Sequence, residues 1–243
     1  MMFDYIRLEI RRTLRDKGFV ILGIGMPVLM YLLLTNIGGG SGKDADAWKV
    51  TAMVGMASYG ALGAALGTGN GVAEDKKLGW LRQLRVTPLS PARVVVGRGL
   101  SSSVTVLPAI VAVLLLGALV NGVRLSPVQW AGLVVLLWLG TAPFTLLGLG
   151  NGYRLTTQAA GLVNAGCMMV LAIIGGLWFP TGAFPGWLEK ISRWTPSNRF
   201  AELGWSVTAG HGPSAGTVLV LVAWLAVFGA YAVYAYRRAA RTV

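Results

Sequence analysis

Apolar runs of about 18–27 residues recur six times along this chain, and about 20 residues of α-helix suffice to cross the ~30 Å hydrocarbon layer of a bilayer. They cover 19–36, 50–73, 94–120, 128–149, 159–178 and 217–236. Ahead of the first, residues 1–17 follow a different rhythm. Phe3, Ile6, Ile10 and Leu14 share one helical face while Arg7, Arg11, Arg12 and Arg15 take the other, the pattern of a helix lying in the membrane interface. The basic stretch followed by an apolar run looks superficially like a leader, but the run is long for that role and is expected to stay as a first span.

Two polar segments interrupt the pattern informatively. Residues 74–91 (EDKKLGWLRQLRVTPLSP) are helix-length and two-sided, with Leu78, Leu81 and Leu84 opposite Lys76, Lys77, Arg82 and Arg85. Thr87-Pro88 ends that helix, because a residue before proline avoids helical geometry, and Ser90-Pro91 starts the next one. The periodicity fits a snorkelling anchor as well as it fits a docking surface for a soluble partner. In 179–205, Trp187, Leu188, Ile191 and Trp194 share one helical face, Thr195-Pro196 restarts the chain, and Phe200, Leu203, Gly204 and Val207 share another. That reads as two short helices folding back into one leaflet, which requires packing against protein. Gly63, Gly67 and Gly71, every fourth residue, predict a closely packed helix face.

Composition agrees with a bundle in lipid. Of 243 residues, 55% are hydrophobic and 12% charged, about half the charged share of soluble domains. The formal charge of +12 does not point to nucleic acid, because the basic residues sit at run ends. With the N-terminus inside, fifteen of the 21 Lys and Arg lie in inner segments. Only Lys43, Lys49, Arg124, Lys190, Arg193 and Arg199 lie outside. Both termini are therefore expected in the cytoplasm. The tryptophans Trp48, Trp130, Trp178, Trp187, Trp194 and Trp205 would then form a belt at the outer boundary.

Several chemistries are excluded. All nine acidic residues avoid the centres of the runs, which argues against proton or ion coupling. A single histidine (His211) and a single cysteine (Cys167) rule out a His/Cys metal cluster and leave no catalytic set. The segment 37–44 misses the phosphate-binding pattern G-x-x-x-x-G-K-[ST] at both Ile37 and Asp44, so any use of ATP must belong to a partner.

The order Glu74…Gly79-x-Leu81…Leu84-x-Val86-Thr87-Pro88-Leu89-Ser90 resembles the coupling helix that follows the second span in permease subunits of type-2 ABC exporters. Phe179-Pro180…Phe184-Pro185-Gly186-Trp187-Leu188…Thr195-Pro196 resembles the outer re-entrant hairpin before their last span. Daunorubicin-resistance-type permeases are the nearest subgroup. Arg82 departs from the pattern, standing where many members carry an acid.

The resemblance implies an all-α polytopic fold filling 1–243 as a single transmembrane domain. It would comprise an interfacial helix (1–17), six transmembrane helices, a cytoplasmic coupling helix (74–90) and the outer hairpin (179–206). It implies two ABC ATPase subunits that carry ATP and Mg, no cofactor on this chain, and a second permease chain in a bacterial cytoplasmic membrane. Glu74, Gly79, Leu81, Arg82, Leu84 and Arg85 would face the ATPase, with Arg11, Arg12 and Arg15 either adding contacts or anchoring in membrane lipid.

The expected activity is export of a hydrophobic or amphiphilic compound, as in multidrug efflux or antibiotic resistance. A non-transporting scaffold or immunity protein and a membrane-embedded enzyme are the competing readings. Asn70, Asn164, Met168 and Met169 are candidates for a substrate pathway. Asn164 serves equally as an interhelical hydrogen bond, and the methionines equally as ordinary core.

Overall fold

The computed structural model describes residues 19–37, 43–78 and 91–241, and every regular element among them is helical. A π-helical stretch, Phe19–Gly25, leads into α1 (Met26–Ile37). There follow α2 (Lys43–Lys77), α3 (Pro91–Ser103), α4 (Leu107–Leu119), α5 (Pro127–Gly140), α6 (Ala142–Arg154) and α7 (Thr157–Ile174). Two short helices, α8 (Gly186–Ser192) and α9 (Pro196–Thr208), precede the long α10 (Ala215–Arg241).

Five helical stretches among the described residues are long and apolar enough to cross a membrane: Ala45–Lys77, Ala92–Leu119, Pro127–Arg154, Thr157–Ile174 and Ala215–Ala240. The first expected span is instead a shorter apolar helix, Gly23–Asn36. The interfacial segment 1–17 lies outside the described residues. Apolar side chains such as Leu162, Leu219 and Val222 remain on the exterior of α7 and α10. This is the surface of a membrane protein, for which hydrocarbon is the solvent.

Two of the crossings are jointed rather than straight, at prolines. Pro108 has no N–H, and the turn before it tightens into the 3₁₀ stretch Val104–Val106, where the Leu107 N–H bonds the Val104 carbonyl. The Ser103 carbonyl left over accepts Trp138 Nε1 at 3.0 Å. Between α5 and α6, ahead of Pro143, Thr141 returns both its N–H (3.2 Å) and its hydroxyl (2.6 Å) to the Trp138 carbonyl. An indole donor thus reaches the carbonyl left over at the Pro108 joint, and Thr141 turns both its donors back onto Trp138 O ahead of Pro143, as a water-poor surrounding demands. At the end of α7, Leu177 N–H bonds Ala172 O (3.0 Å) and Gly176 N–H bonds Ile173 O (3.1 Å), with Gly176 at φ +71. This Schellman motif stops the helix four residues before the expected end at 178.

Helix α2 is the axle of the bundle. Residues 52–62 are all buried, and it packs against α1, α4, α6, α7 and α9. Its tightest contact is with α6. A Cβ on Gly69 would overlap the Gly148 carbonyl, one on Gly152 would overlap the Gly69 carbonyl, and one on Gly148 would sit 2.5 Å from the Leu66 carbonyl. The expected stripe is corrected accordingly. Gly63 faces the Met168 side chain, but Gly67 and Gly71 have nothing within 4 Å. Spacing of four identified the right helix and largely the wrong face.

Helices α8 and α9 divide their buried and exposed residues along the faces the pattern predicts. Phe200, Leu203 and Gly204 are buried, while Trp187, Ile191 and Trp194 are exposed. Thr195 caps α9 by accepting Asn198 N–H (3.3 Å), and Asn198 Nδ2 donates to Gly175 O at the end of α7 (3.1 Å). Trp205 Nε1 reaches Thr51 O on α2 (3.2 Å), and Gln129 Nε2 of α5 caps the other end of α9 at Val207 O (3.1 Å). Helices α8 and α9 are thereby sewn to three helices at the end of the bundle opposite Lys76, Lys77 and Arg98.

Gly148→Val is expected to lower the midpoint of thermal unfolding and the monodisperse yield, at a cost of about 1–3 kcal/mol or more. Gly71→Ala should leave both unchanged. Size-exclusion profiles and thermal denaturation in detergent compare the two variants.

Candidate functional site

The expected coupling segment leaves α2 and re-enters the bundle at α3, so these two helix ends set its position. Gly79, Leu81, Arg82, Leu84 and Arg85 lie outside the described residues, as do Arg11, Arg12 and Arg15. Glu74 is described and stands exposed on the last turn of α2, with Lys77 and Leu78 exposed beside it.

Two contacts fasten this end. Arg98 Nη2 on α3 donates to Asp75 Oδ2 on α2 at 2.5 Å, with both side chains about one-third exposed. The charge-assisted bond clasps the two shoulders of the segment 79–90 together. One residue on, Lys76 Nζ donates to three carbonyls at the end of α6: Gly152 (3.3 Å), Tyr153 (3.0 Å) and Leu155 (2.6 Å). Those groups form the negative end of the α6 dipole, and an ammonium has three donors to give them. Asp75, Lys76 and Arg98 escaped the sequence reading as site residues. The signal available was an acid closing one apolar run and an arginine two turns into the next.

Deeper in the bundle the structure joins two of the expected pathway residues. Asn164 Nδ2 on α7 donates to Asn70 Oδ1 on α2 at 2.9 Å. Asn164 Oδ1 accepts Asn151 Nδ2 from α6 at 2.8 Å, and Asn151 Oδ1 accepts the Tyr231 hydroxyl from α10 at 2.9 Å. Four helices are tied by one chain of hydrogen bonds, and Asn151 and Asn164 are almost wholly buried. Asn151 and Asn164 each use an acceptor and a donor within the chain, and Asn70 ends it as an acceptor, which makes the arrangement directional and mutually supporting. Asn151 and Tyr231 were not among the expected residues.

The two methionines do not form a shared surface. Met168 packs its methyl group and sulfur against Gly63, whereas Met169 is about half exposed on the outside of α7. Adjacent positions on a helix point about 100° apart, so the pair could not line one face. No group of three or more His, Cys, Asp or Glu suited to a metal ion occurs among the described residues.

Comparison with known proteins decides the class. The profile of the ABC-2 type transporter family matches residues 5–207. The chain belongs to the ABC-2 type transporter family. It is also similar to the Bacillus subtilis (strain 168) protein named "Putative transport permease YvfS", with 31% identity over 234 residues, 95% of this chain and 94% of that protein. Membership makes this permease a membrane transport subunit rather than an enzyme, and it implies association with an ATPase subunit.

Because Asn164 bonds on both sides, Asn164→Ala is expected to destabilise more than Asn70→Ala. Each interhelical bond lost should cost about 0.6–2 kcal/mol. Thermal unfolding of the two variants in the same detergent checks the ranking; equal losses would mean that the Asn151–Asn164 bond adds no stability beyond the Asn70–Asn164 bond.

Proposed function

We propose that this permease is the membrane half of an ATP-driven exporter that moves a hydrophobic or amphiphilic compound, drug-like, antibiotic or lipid-like, out of the cell. ATP and Mg belong to two ATPase subunits, and two permease chains, identical or similar, make up the transport unit. The observation that carries the reading is the clasp at the ends of α2 and α3. A partner that grips residues 79–90 pulls on Asp75 and Arg98 together, and through Lys76 it pulls on α6 as well. Force applied at the segment therefore reaches the central helix.

The basic end of the bundle, with Lys76, Lys77, Arg98, Arg154 and Arg237, faces the cytoplasm of a bacterial cell, with both termini on that side. Six crossings follow if the apolar helix Gly23–Asn36 is completed by the residues before it. The hairpin α8–α9 then sits in the outer leaflet with its exposed tryptophans at the interface. An apolar or amphiphilic substrate suits interior faces that offer amides and hydroxyls but no ring of charge.

Two measurements test this. In a Cys167→Ser background, Ala92→Cys should be labelled only from the cytoplasmic side and Gly122→Cys only from outside. Reversed labelling would remove the coupling assignment. Leu81→Asp should insert normally yet lose the ATPase partner, or its substrate-stimulated hydrolysis, because a charge desolvated in that contact costs several kcal/mol. Intact assembly and transport in Leu81→Asp would reduce the segment to a membrane anchor.

A further inference from the structure

At the end of the bundle opposite Lys76, Lys77 and Arg98, a cavity of about 410 Å³ lies between α9, the outer turns of α2 and the turn 180–182. Thr51, Arg193, Asn198, Arg199, Glu202 and Trp205 line it. Two of its sides are fixed. Trp205 Nε1 donates to Thr51 O at 3.2 Å, and Asn198 Nδ2 donates to Gly175 O at 3.1 Å.

The charged residues of this cavity sit well down the bundle. The Trp194 carbonyl accepts Trp224 Nε1 of α10 at 3.0 Å. Helix α10 begins at Ala215, so Trp224 stands about 14 Å along it at 1.5 Å per residue. Arg193 adjoins Trp194, and Arg199 falls within the first turn after the restart at Pro196. Ionisable groups carried that far along an apolar helix are costly to keep, and they mark sites of function.

Their arrangement narrows the ligand. Arg199 and Glu202 stand three residues apart on α9, a spacing at which opposite charges ordinarily meet. Here they do not. Among the described residues the ion pairs join Asp46 to Lys49, Asp75 to Arg98 and Glu189 to Arg193. Arg199 turns back to α8 instead, its Nε donating to the Arg193 carbonyl at 2.5 Å, while Arg193 Nη2 donates to Glu189 at 2.6 Å. The cavity thus presents a half-buried guanidinium and a half-buried carboxylate that are not closed on each other. Opposite charges held apart fit a ligand that carries both. The volume falls in the range of small-molecule sites and suits a headgroup better than a single ion.

We propose that this cavity binds a zwitterionic headgroup bearing a phosphate and a primary ammonium, as phosphatidylethanolamine does. Arg199 takes the phosphate with Arg193 adding charge, and Glu202 accepts the ammonium N–H groups beside the Trp205 ring. The site is built by α2, α9 and the turns around α8, and it requires neither an ATPase nor the coupling segment.

The test uses the full chain, purified in neutral detergent without any ATPase. Native mass spectrometry titrates it with dioleoyl phosphatidylethanolamine, phosphatidylcholine and phosphatidylglycerol. Phosphatidylethanolamine should bind several-fold tighter than either of the others. Choline has no N–H to give Glu202, and phosphatidylglycerol has no cation at all. Glu202→Gln should weaken phosphatidylethanolamine by about fivefold and leave phosphatidylglycerol unchanged, whereas Arg199→Gln should weaken both. Lys190→Gln, an exposed change on α8 away from the cavity, should alter neither. Because Glu202 makes no ion pair among the described residues, its variant keeps the fold even if Arg199→Gln loosens α8 from α9.

Displacement by soluble phosphoethanolamine would show that the site reads the headgroup alone, whereas resistance to it would assign the site to lipid; both support the zwitterion site. Equal binding of phosphatidylethanolamine and either other lipid, or a preference that survives Glu202→Gln, would overturn it. Neither result bears on transport, which the Leu81→Asp and labelling experiments decide separately.

Discussion

Helices α2 and α6 meet backbone against backbone, and most of the interior depends on that approach. Gly69, Gly148 and Gly152 have no room for a Cβ because the facing carbonyls already occupy the space. In lipid, where apolar side chains gain little by leaving the solvent, such close approach supplies the dispersion and dipole contacts that hold helices together. The polar contacts follow from it. Asn70 follows Gly69 on α2, Asn151 lies between Gly148 and Gly152 on α6, and Asn164 of α7 bridges the two. At the end of the same seam, Lys76 closes over the α6 carbonyls. A bulkier residue at Gly148 would therefore displace the amides and the lysine along with the helix.

The fold was legible because its strongest signals are local. Apolar run length, the start at Pro91 and the Thr195-Pro196 restart each correspond to an observed helix boundary. The first run, 19–36, is helical throughout, but run length cannot distinguish α from the π winding of 19–25, which rises less per residue. The third and fourth look straight in a hydropathy pattern, yet Pro108 and Pro143 divide them. At the first joint Trp138 of α5 donates to the left-over Ser103 carbonyl, and at the second Thr141 donates to Trp138 O.

The site was legible only in part. Asn164 and Asn70 stood out as amides inside apolar runs. Asn151 did not, because the run was taken to end at Leu149, two residues short of it, and Tyr231 reads as an aromatic near a span end. The glycine stripe failed for a related reason. Recurrence every fourth residue marks a face, but whether a neighbour occupies it depends on packing that no single helix encodes. Asp75 and Arg98 flank the segment that attracted attention, and pairing across a polar loop leaves no periodic trace.

The buried amide chain also carries a consequence for biosynthesis. Its members are made in the order Asn70, Asn151, Asn164, Tyr231, and the last is 161 residues behind the first. At roughly 5–20 residues per second, Asn70 waits on the order of ten to thirty seconds before every link can close. Until α10 arrives, Asn151 has an unfilled acceptor in a medium that offers no water to fill it. A chain truncated before Tyr231 exposes that deficit, which gives cellular quality control a chemical mark separating finished molecules from unfinished ones.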